Sequence, residues 1–234
     1  MIISIHQPDY IPYIGLFYKI YQSEKFVFLD DAQFSNNNMH HWNRIKTPQG
    51  ETRLKIPVEQ HLGTLINHVR TKDELKWKEK HLKTIDYNYC RAKYFNDFFP
   101  VFKELLLSHY ANLADMNVTI NTFIADKFGL RPKFYRTSEM KIDSFKEERV
   151  IDICVMLGAD TYISGNGAKA YQKEKDFTDK GIKLHYTDYQ PIEYQQMWNE
   201  FLPNMSIIDY IFNCGFDWNT ILKKIETKNQ EIKQ

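Results

Sequence analysis

Cysteine is scarce in this 234-residue chain: there are three, Cys90, Cys154 and Cys214. They lie about sixty residues apart, which fits neither a zinc knuckle nor a redox pair, and the odd count argues against a disulfide framework. Three buried thiols in a reducing compartment are expected. An excess of charge of one sign is lacking too, with 31 Lys and Arg against 30 Asp and Glu. No global field therefore directs the chain to nucleic acid or to an anionic membrane surface, and an anionic ligand has to be held locally. No run approaches the ~18 apolar residues of a membrane span. The opening MIISIHQP has no basic segment, long apolar stretch or small-residue cleavage site, so a cytoplasmic location is expected. GxSxG, a cysteine with a neighbouring histidine, and an acidic calcium loop are all missing. His40, His41, His61 and His68 are close in sequence but have neither helical i, i+4 spacing nor cysteine partners. The expectation is no metal and no covalent serine or cysteine nucleophile.

What is present is ordinary globular usage, 43% hydrophobic and 26% charged, with a high aromatic share of 15%. Ile2 to Ile5 is a short β-branched run stopped by Pro8, and it reads as a buried strand. Tyr13, Leu16, Phe17, Ile20 and Tyr21 recur at helical spacing, and Phe26 to Leu29 is a second apolar strand. Strand, helix, strand in under thirty residues, with both strands almost wholly apolar, is the pattern of a βαβ unit in a parallel sheet. Ser35 to Gln49 reads as a polar irregular loop and Arg53 to Val58 as an edge-like third strand. Three helices are expected over about Asp73–Cys90, Asn96–His109 and Asn112–Phe128, the last ended by Gly129 with Pro132 beyond. Beyond them come strands at Lys133–Arg136, Thr161–Ser164 and Ile182–Tyr186, a helix at Lys146–Leu157, and a helical C-terminal part broken at Gly215. The polar tail from Glu226 is expected to fray. The fold class is a single α/β domain over residues 1–234: a Rossmann-like, mostly parallel sheet with a helical subdomain at about 73–129 and C-terminal helices.

Two segments carry possible chemistry. His6-Gln7-Pro8-Asp9-Tyr10-Ile11-Pro12-Tyr13 follows a central strand, and polar groups there face the crevice where open parallel sheets bind ligands. The two prolines stiffen the loop, which limits what is lost on binding. Asp30 and Asp31 end the next strand, with Gln33 beyond, and should reach the same sheet edge. Strand alternation lets only one of the two aspartates face a ligand, and Asp30 is preferred. Trp42, Asn43 and Arg44 follow in the polar loop, where the planar fork of Arg44 suits a phosphate or carboxylate. The second segment, Thr161 to Tyr171, runs from a strand into a glycine-bracketed turn, Ser164-Gly165-Asn166-Gly167. Such a turn offers backbone N–H groups to an anion at a helix start, although it lacks the spacing of a phosphate loop. Each residue also has a plain structural reading: a buried histidine satisfied by backbone, an aspartate capping a turn, a solvated arginine.

At His6-Gln-Pro-x-Tyr-x-Pro-x-x-Gly15, Asp31-x-Gln33, Asn43-Arg44 and Ser164-Gly-x-Gly167-x-x-x-Tyr171, the sequence resembles the WbqC-like family from residue 1 to about residue 220. Members of that family occur in bacterial gene clusters for O-antigen and other surface polysaccharides, and some are named glycine transferases acting on amino sugars. The resemblance implies amide formation on a nucleotide-activated amino sugar. A more distant likeness, to pantothenate synthetase and other HIGH-type nucleotidyl transferases, implies ATP and an acyl adenylate, but Tyr13 and Leu16 stand where the two HIGH histidines would fall. Three readings follow. His6, with Asp30 and Asp31, serves a transfer from a carrier-protein-bound aminoacyl donor, with His6 as general base. Alternatively ATP activates the amino acid, and Arg44 with the 164–167 turn stabilises phosphate charge. In the third, the chain only binds a sugar nucleotide or carrier, with Tyr10, Tyr13, Trp42 and Tyr171 as stacking groups. The carrier route is preferred because Leu16 cannot donate to a phosphate. A homodimer is expected on general frequency.

Overall fold

The computed structural model describes residues 1–198 and 200–232. In chain order the elements begin with β1 (Ile2–His6), α1 (Ile14–Tyr21) and β2 (Lys25–Phe28). The hairpin strands β3 (Trp42–Thr47) and β4 (Gly50–Lys55) follow, then the short β5 (Val58–Glu59) and β6 (Arg70–Thr71). Helices α2 (Trp77–Tyr89), α3 (Phe95–Leu107) and α4 (Leu113–Lys127) precede β7 (Lys133–Arg136), α5 (Lys146–Met156), β8 (Thr161–Ser164), α6 (Glu174–Thr178) and β9 (Lys183–Tyr186). The chain closes with α7 (Ile207–Cys214) and α8 (Trp218–Ile232).

Five strands form one sheet in the order β7-β2-β1-β8-β9, and every pair in it is parallel. Counted in chain order this is third, second, first, fourth, fifth, the doubly wound arrangement whose order reverses between β1 and β8. The Rossmann-like expectation holds. The reversal matters because the connections after β1 and β8 leave in opposite directions and open a crevice at their carboxyl ends. Ser4 pairs with Ile163, so His6 and the 164–167 turn rise from that same crevice.

The strands are apolar because both faces are covered. Phe26 and Phe28 of β2 join the larger core with α1, the hairpin and the helices α2–α4, α7 and α8. Val27, with Ile3 and Ile5 of β1, faces the smaller core under α5 and α6. Ser4 interrupts the apolar run on the α1 side, where Ser23 donates to it at 2.7 Å. Lys19 on α1 and Ser23 just past its end, which donates to Lys19 O at 2.7 Å, form a polar seam between helix and sheet.

Several expectations are corrected here. Trp42–Thr47 is extended, not irregular, and pairs antiparallel with Gly50–Lys55. Pro48 and Gln49 make the turn and Gly50 adopts φ 107°, so the hairpin was hidden by polar composition although its turn residues were in view. This two-stranded unit is separate from the main sheet. Helix α2 starts at Trp77 because Asp73–Leu75 is a single 3₁₀ turn and Lys76 takes a left-handed φ of 51°. The Asp73 carboxylate holds that corner by accepting from Trp77 Nε1 at 2.8 Å. Helix α8 continues to Ile232 where fraying was expected, and the rest of that tail, 233–234, lies outside the described residues. Cys154 is buried, but Cys90 is exposed at the end of α2 and Cys214 half-buried. No described helix is long and apolar enough to cross a membrane.

Candidate active site at the carboxyl end of the sheet

The loop after β1 is held from three sides. Asn43 on β3 donates from one amide group to the carbonyls of Tyr10 at 3.0 Å and Ile11 at 2.9 Å. Asn117 on α4 donates to Pro8 O and His40 O, at 2.9 and 2.7 Å, and Asn121, one turn later, to Asp9 O at 2.9 Å. Ser206 donates to Ile11 O at 2.7 Å. This fixation keeps Ile11 at φ 38°, a conformation that costs a β-branched residue about 1–3 kcal/mol.

Inside the loop, Asp9 bridges two imidazoles. His6 Nε2 lies 3.2 Å from Asp9 Oδ2 and His40 Nδ1 lies 3.1 Å from Oδ1. Burial pushes the Asp9 carboxyl up, but hydrogen bonds from His40 and His6 outweigh it and hold the group at about 2. It is therefore ionised at neutral pH and can only accept. His6 must then carry a proton on Nε2 to donate to it, and an imidazole with its single proton there has its lone pair on Nδ1. The His6 side chain is 35% exposed and His40 0%, so His6 is the member of the pair that a substrate can reach. A carboxylate that fixes tautomer and ring direction behind a solvent-facing imidazole is the arrangement of an oriented general base.

Lys19 lies beneath this group. Its side chain is buried, and Nζ donates to the carbonyl of Ile5 at 2.7 Å, just before His6. Desolvation pulls the amine down to about 7. Tyr13 packs beside Tyr189 at 5.8 Å between ring centres, and its hydroxyl is pushed up by burial and by the Asp9 charge. A Cβ on Gly15 would overlap the Tyr13 ring and lie 2.8 Å from Tyr189, so the first turn of α1 needs glycine to seat that tyrosine. Gln7 accepts from Asn38 Nδ2 at 3.3 Å, which ties the loop after β1 to the segment preceding His40.

The other sequence candidates are placed differently. Asp30 is wholly buried and engaged by Arg136, Thr137 and Ser138, including Nη2 of Arg136 at 2.7 Å and Ser138 Oγ at 2.6 Å. Burial raises its carboxyl, but these partners outweigh that and hold it low. Asp31 pairs with Arg149 at 2.5 Å and accepts from Thr137. Together they tie the carboxyl ends of β2 and β7. Gln33 is exposed and makes an isolated bridge with Leu65. Tyr10 is fully buried, with its hydroxyl 3.0 Å from His81 Nδ1, and offers no face for stacking. Trp42 is covered by the Arg53 guanidinium at 4.0 Å from the ring centre. Arg44 pairs with Glu51 at 2.9 Å, across a hairpin strand and not in a loop. Ser164 is buried, while Asn166, Gly167 and Tyr171 are exposed. The turn after β8 is a five-residue 3₁₀ stretch, Asn166–Ala170, not the start of an α-helix. Neither Gly165 nor Gly167 has a positive φ, and an added Cβ would meet nothing. Backbone conformation does not require glycine there, so the turn is left open to close approach from outside.

Sequence reasoning missed His40, Lys19, Asn117 and Asn121. The asparagines had a signal: they sit four apart on the face of α4 that also carries Leu113, Ile120 and Ile124, and buried amides in an apolar stripe need partners elsewhere. Lys19 had one too, as a lysine inside the apolar run of α1. A concavity of about 770 Å³ opens at the opposite, amino end of the sheet, between Glu24, Arg131 and Trp218. It is far from the imidazoles along the strands, and the switch-point geometry outweighs its size.

The family model of the WbqC-like protein family matches residues 7–220. This chain belongs to that family. The matched span takes in Asp9, His40, Asn43, both α4 asparagines and the 164–171 turn, and begins one residue after His6. An uncharacterized protein of Mycobacterium tuberculosis (strain ATCC 25618 / H37Rv) is similar over 217 residues at 29% identity, covering 91% of this chain and 94% of that one. No solved structure matches the chain.

Proposed function

We propose that this WbqC-like chain forms an amide on a nucleotide-activated amino sugar, by transfer of an aminoacyl group such as glycyl, in the biosynthesis of a bacterial surface polysaccharide. The observation that carries the reading is the Asp9-held His6 at the switch-point crevice, with its Nδ1 lone pair free. An amine attacking an acyl carbonyl must lose a proton, and a fixed imidazole at that point removes it. With a carrier-bound thioester as donor, the amine nitrogen forms the new C–N bond. The C–S bond breaks, the carrier thiolate leaves, and the amine proton passes to His6 Nδ1 and then to the thiolate.

The carrier route is preferred to ATP because Leu16, at the second histidine position of the HIGH pattern, is buried in the core and has no donor to offer. The open glycine turn after β8 is available to either a phosphate or a carrier arm. The pairing of Arg44 with Glu51 favours a positioning role for that hairpin over direct phosphate binding.

The test is mass spectrometry of a dTDP-linked 4-amino-4,6-dideoxyhexose incubated with the protein and glycine, with ATP in one tube and a glycyl-loaded carrier protein in another. A glycyl mass gain with the carrier alone is expected, and His6→Ala should reduce its rate by about 10² or more while sugar-nucleotide binding persists. A gain only with ATP overturns the carrier route. No gain in either tube, with the sugar nucleotide retained, makes the chain a binding module.

A further inference from the structure

The carboxylate that orients His6 must itself be oriented. The torsion about the Cβ–Cγ bond of an aspartate is broad, so one hydrogen bond, from His6 Nε2 to Asp9 Oδ2, leaves the carboxylate plane free to turn and the direction of His6 undetermined. A second bond at Oδ1 fixes it. Among the described residues, the only donors to the Asp9 carboxylate are the two imidazoles. His6 is partly exposed, so the rigid end of the bridge is His40, whose side chain has no exposure. The ring of His40 packs on Phe34 at 5.8 Å between centres. Its backbone is held without help from Asp9: one amide group of Asn117 clamps His40 O and Pro8 O, and Tyr10 N donates to Met39 O at 2.9 Å. The two segments that carry the ends of the His40–Asp9 bond are thus set at a fixed separation from α4. The other ring nitrogen of His40, Nε2, is buried and meets no partner in the protein among the described residues. A buried polar atom in that state is unfavourable, and an apolar side chain would fill the space without the penalty. What the imidazole adds is its Nδ1 donor, 3.1 Å from Asp9 Oδ1. Burial pushes the Asp9 carboxyl up, and of the contacts that outweigh burial the bond from His40 counts most.

We infer that His40 is a positioning residue for His6: it locks the plane of the Asp9 carboxylate, and the locked carboxylate holds the His6 ring in one tautomer and one direction. The role rests on the reading of His6 as the base in amide formation, and it puts the rigid support of that base on α4, through Asn117 and His40, and not on the loop that carries it. Proton removal requires the ring to face the amine within hydrogen-bond reach, so time spent in other orientations or in the wrong tautomer is lost to the reaction. His40 itself touches no substrate, because its side chain is closed off from solvent. Its loss therefore acts on the rate of proton removal and not on retention of the sugar nucleotide.

The experiment compares His40→Leu, His40→Asn and His40→Gln in the full chain. His40→Leu fills the space without a donor. In His40→Asn the amide nitrogen stands where Nδ1 stands, whereas in His40→Gln it lies one bond further out, towards Nε2. NMR of the ¹⁵N-histidine-labelled chain reads the tautomer of the neutral His6 ring from its two nitrogens, assigned by their loss in His6→Gln, and needs no substrate. The parent is expected to hold His6 protonated on Nε2 alone, His40→Leu and His40→Gln to mix the two tautomers, and His40→Asn to restore the single one. In the glycyl-transfer assay, His40→Leu and His40→Gln are expected to lower kcat about 10–100-fold, the range for losing a group that orients a functional histidine, with little change in sugar-nucleotide KM, and His40→Asn to recover most of that loss. The inference is overturned if the parent already mixes the two tautomers, if His40→Leu and His40→Gln keep the parent's tautomer, or if His40→Asn behaves as they do. Where His40→Leu does not fold, the comparison of His40→Asn with His40→Gln decides alone. If no glycyl transfer occurs at all, the reading of His6 as base falls, while the tautomers still decide the role of His40.

Discussion

Asp9 is the residue on which the candidate site turns, because one carboxylate sets the direction of two imidazoles. In Asp9→Asn, the amide keeps the volume but loses the charge and one of the two acceptor positions, so His6 and His40 cannot both be held as donors. Amide formation is expected to fall about 10–100-fold, as for loss of a group that orients a functional histidine. A kcat decrease with little change in sugar-nucleotide KM marks an effect on the imidazole, whereas loss of both together marks collapse of the loop. Asp30 and Asp31, closer to the expected sites on sequence grounds, have their oxygens committed to Arg136, Ser138, Thr137 and Arg149. Truncating either one uncovers a partner cation at the end of β2, so their replacement acts first on stability.

The element that matters most is the connection from β1 to α1. It must turn sharply, keep Ile11 at a positive φ and still deliver Tyr13 against the first turn of a helix. Asn43, Ser206 and the two α4 asparagines supply the restraint, and Gly15 supplies the room. Gly15→Ala is expected to destabilise the fold by about 1–3 kcal/mol, the range for forcing an extra methyl group into a packed site, because the new Cβ meets Tyr13 and Tyr189. Urea unfolding measures the loss. An unchanged midpoint means that the Tyr13 ring swings aside without penalty.

At the scale of the whole molecule, the buried bases set how stability depends on pH. His41 and His81 are both pulled down to about 4 by burial. Each stays neutral when folded and binds a proton when unfolded between its folded value and the ordinary 6.5. The unfolded state therefore gains protons as the pH falls, and stability drops from pH 6.5 towards 4, at up to about 1.4 kcal/mol per pH unit for each group. Lys19 follows the same sign in a higher window: from about 7 to 10.5 the unfolded chain binds the extra proton, and stability rises with pH. Chemical denaturation across this range should show both slopes, and His81→Gln should flatten the acidic one. An acidic limb unaltered in that variant removes His81 from the account.

The sequence by itself determined the sheet and most of the helices. Short apolar runs separated by a helical segment fit a parallel sheet covered on both faces, and 3.6-residue periodicity marks α3, α4 and α5. It also marked the His6–Tyr13 and Ser164–Tyr171 segments, because prolines and glycines constrain the backbone wherever they occur. The β3–β4 hairpin was harder to read: its strands alternate polar and apolar residues only loosely, so extension there depends on pairing and on packing against α7. Tertiary structure alone decided which polar residues meet. His40 reaches Asp9 from 31 positions away and Asn121 from 112, and Lys19 is placed under β1 by helix-on-sheet packing. No local pattern encodes such distances, because hydrogen bonds between distant segments are chosen by the fold's geometry and not by the spacing of residues along the chain.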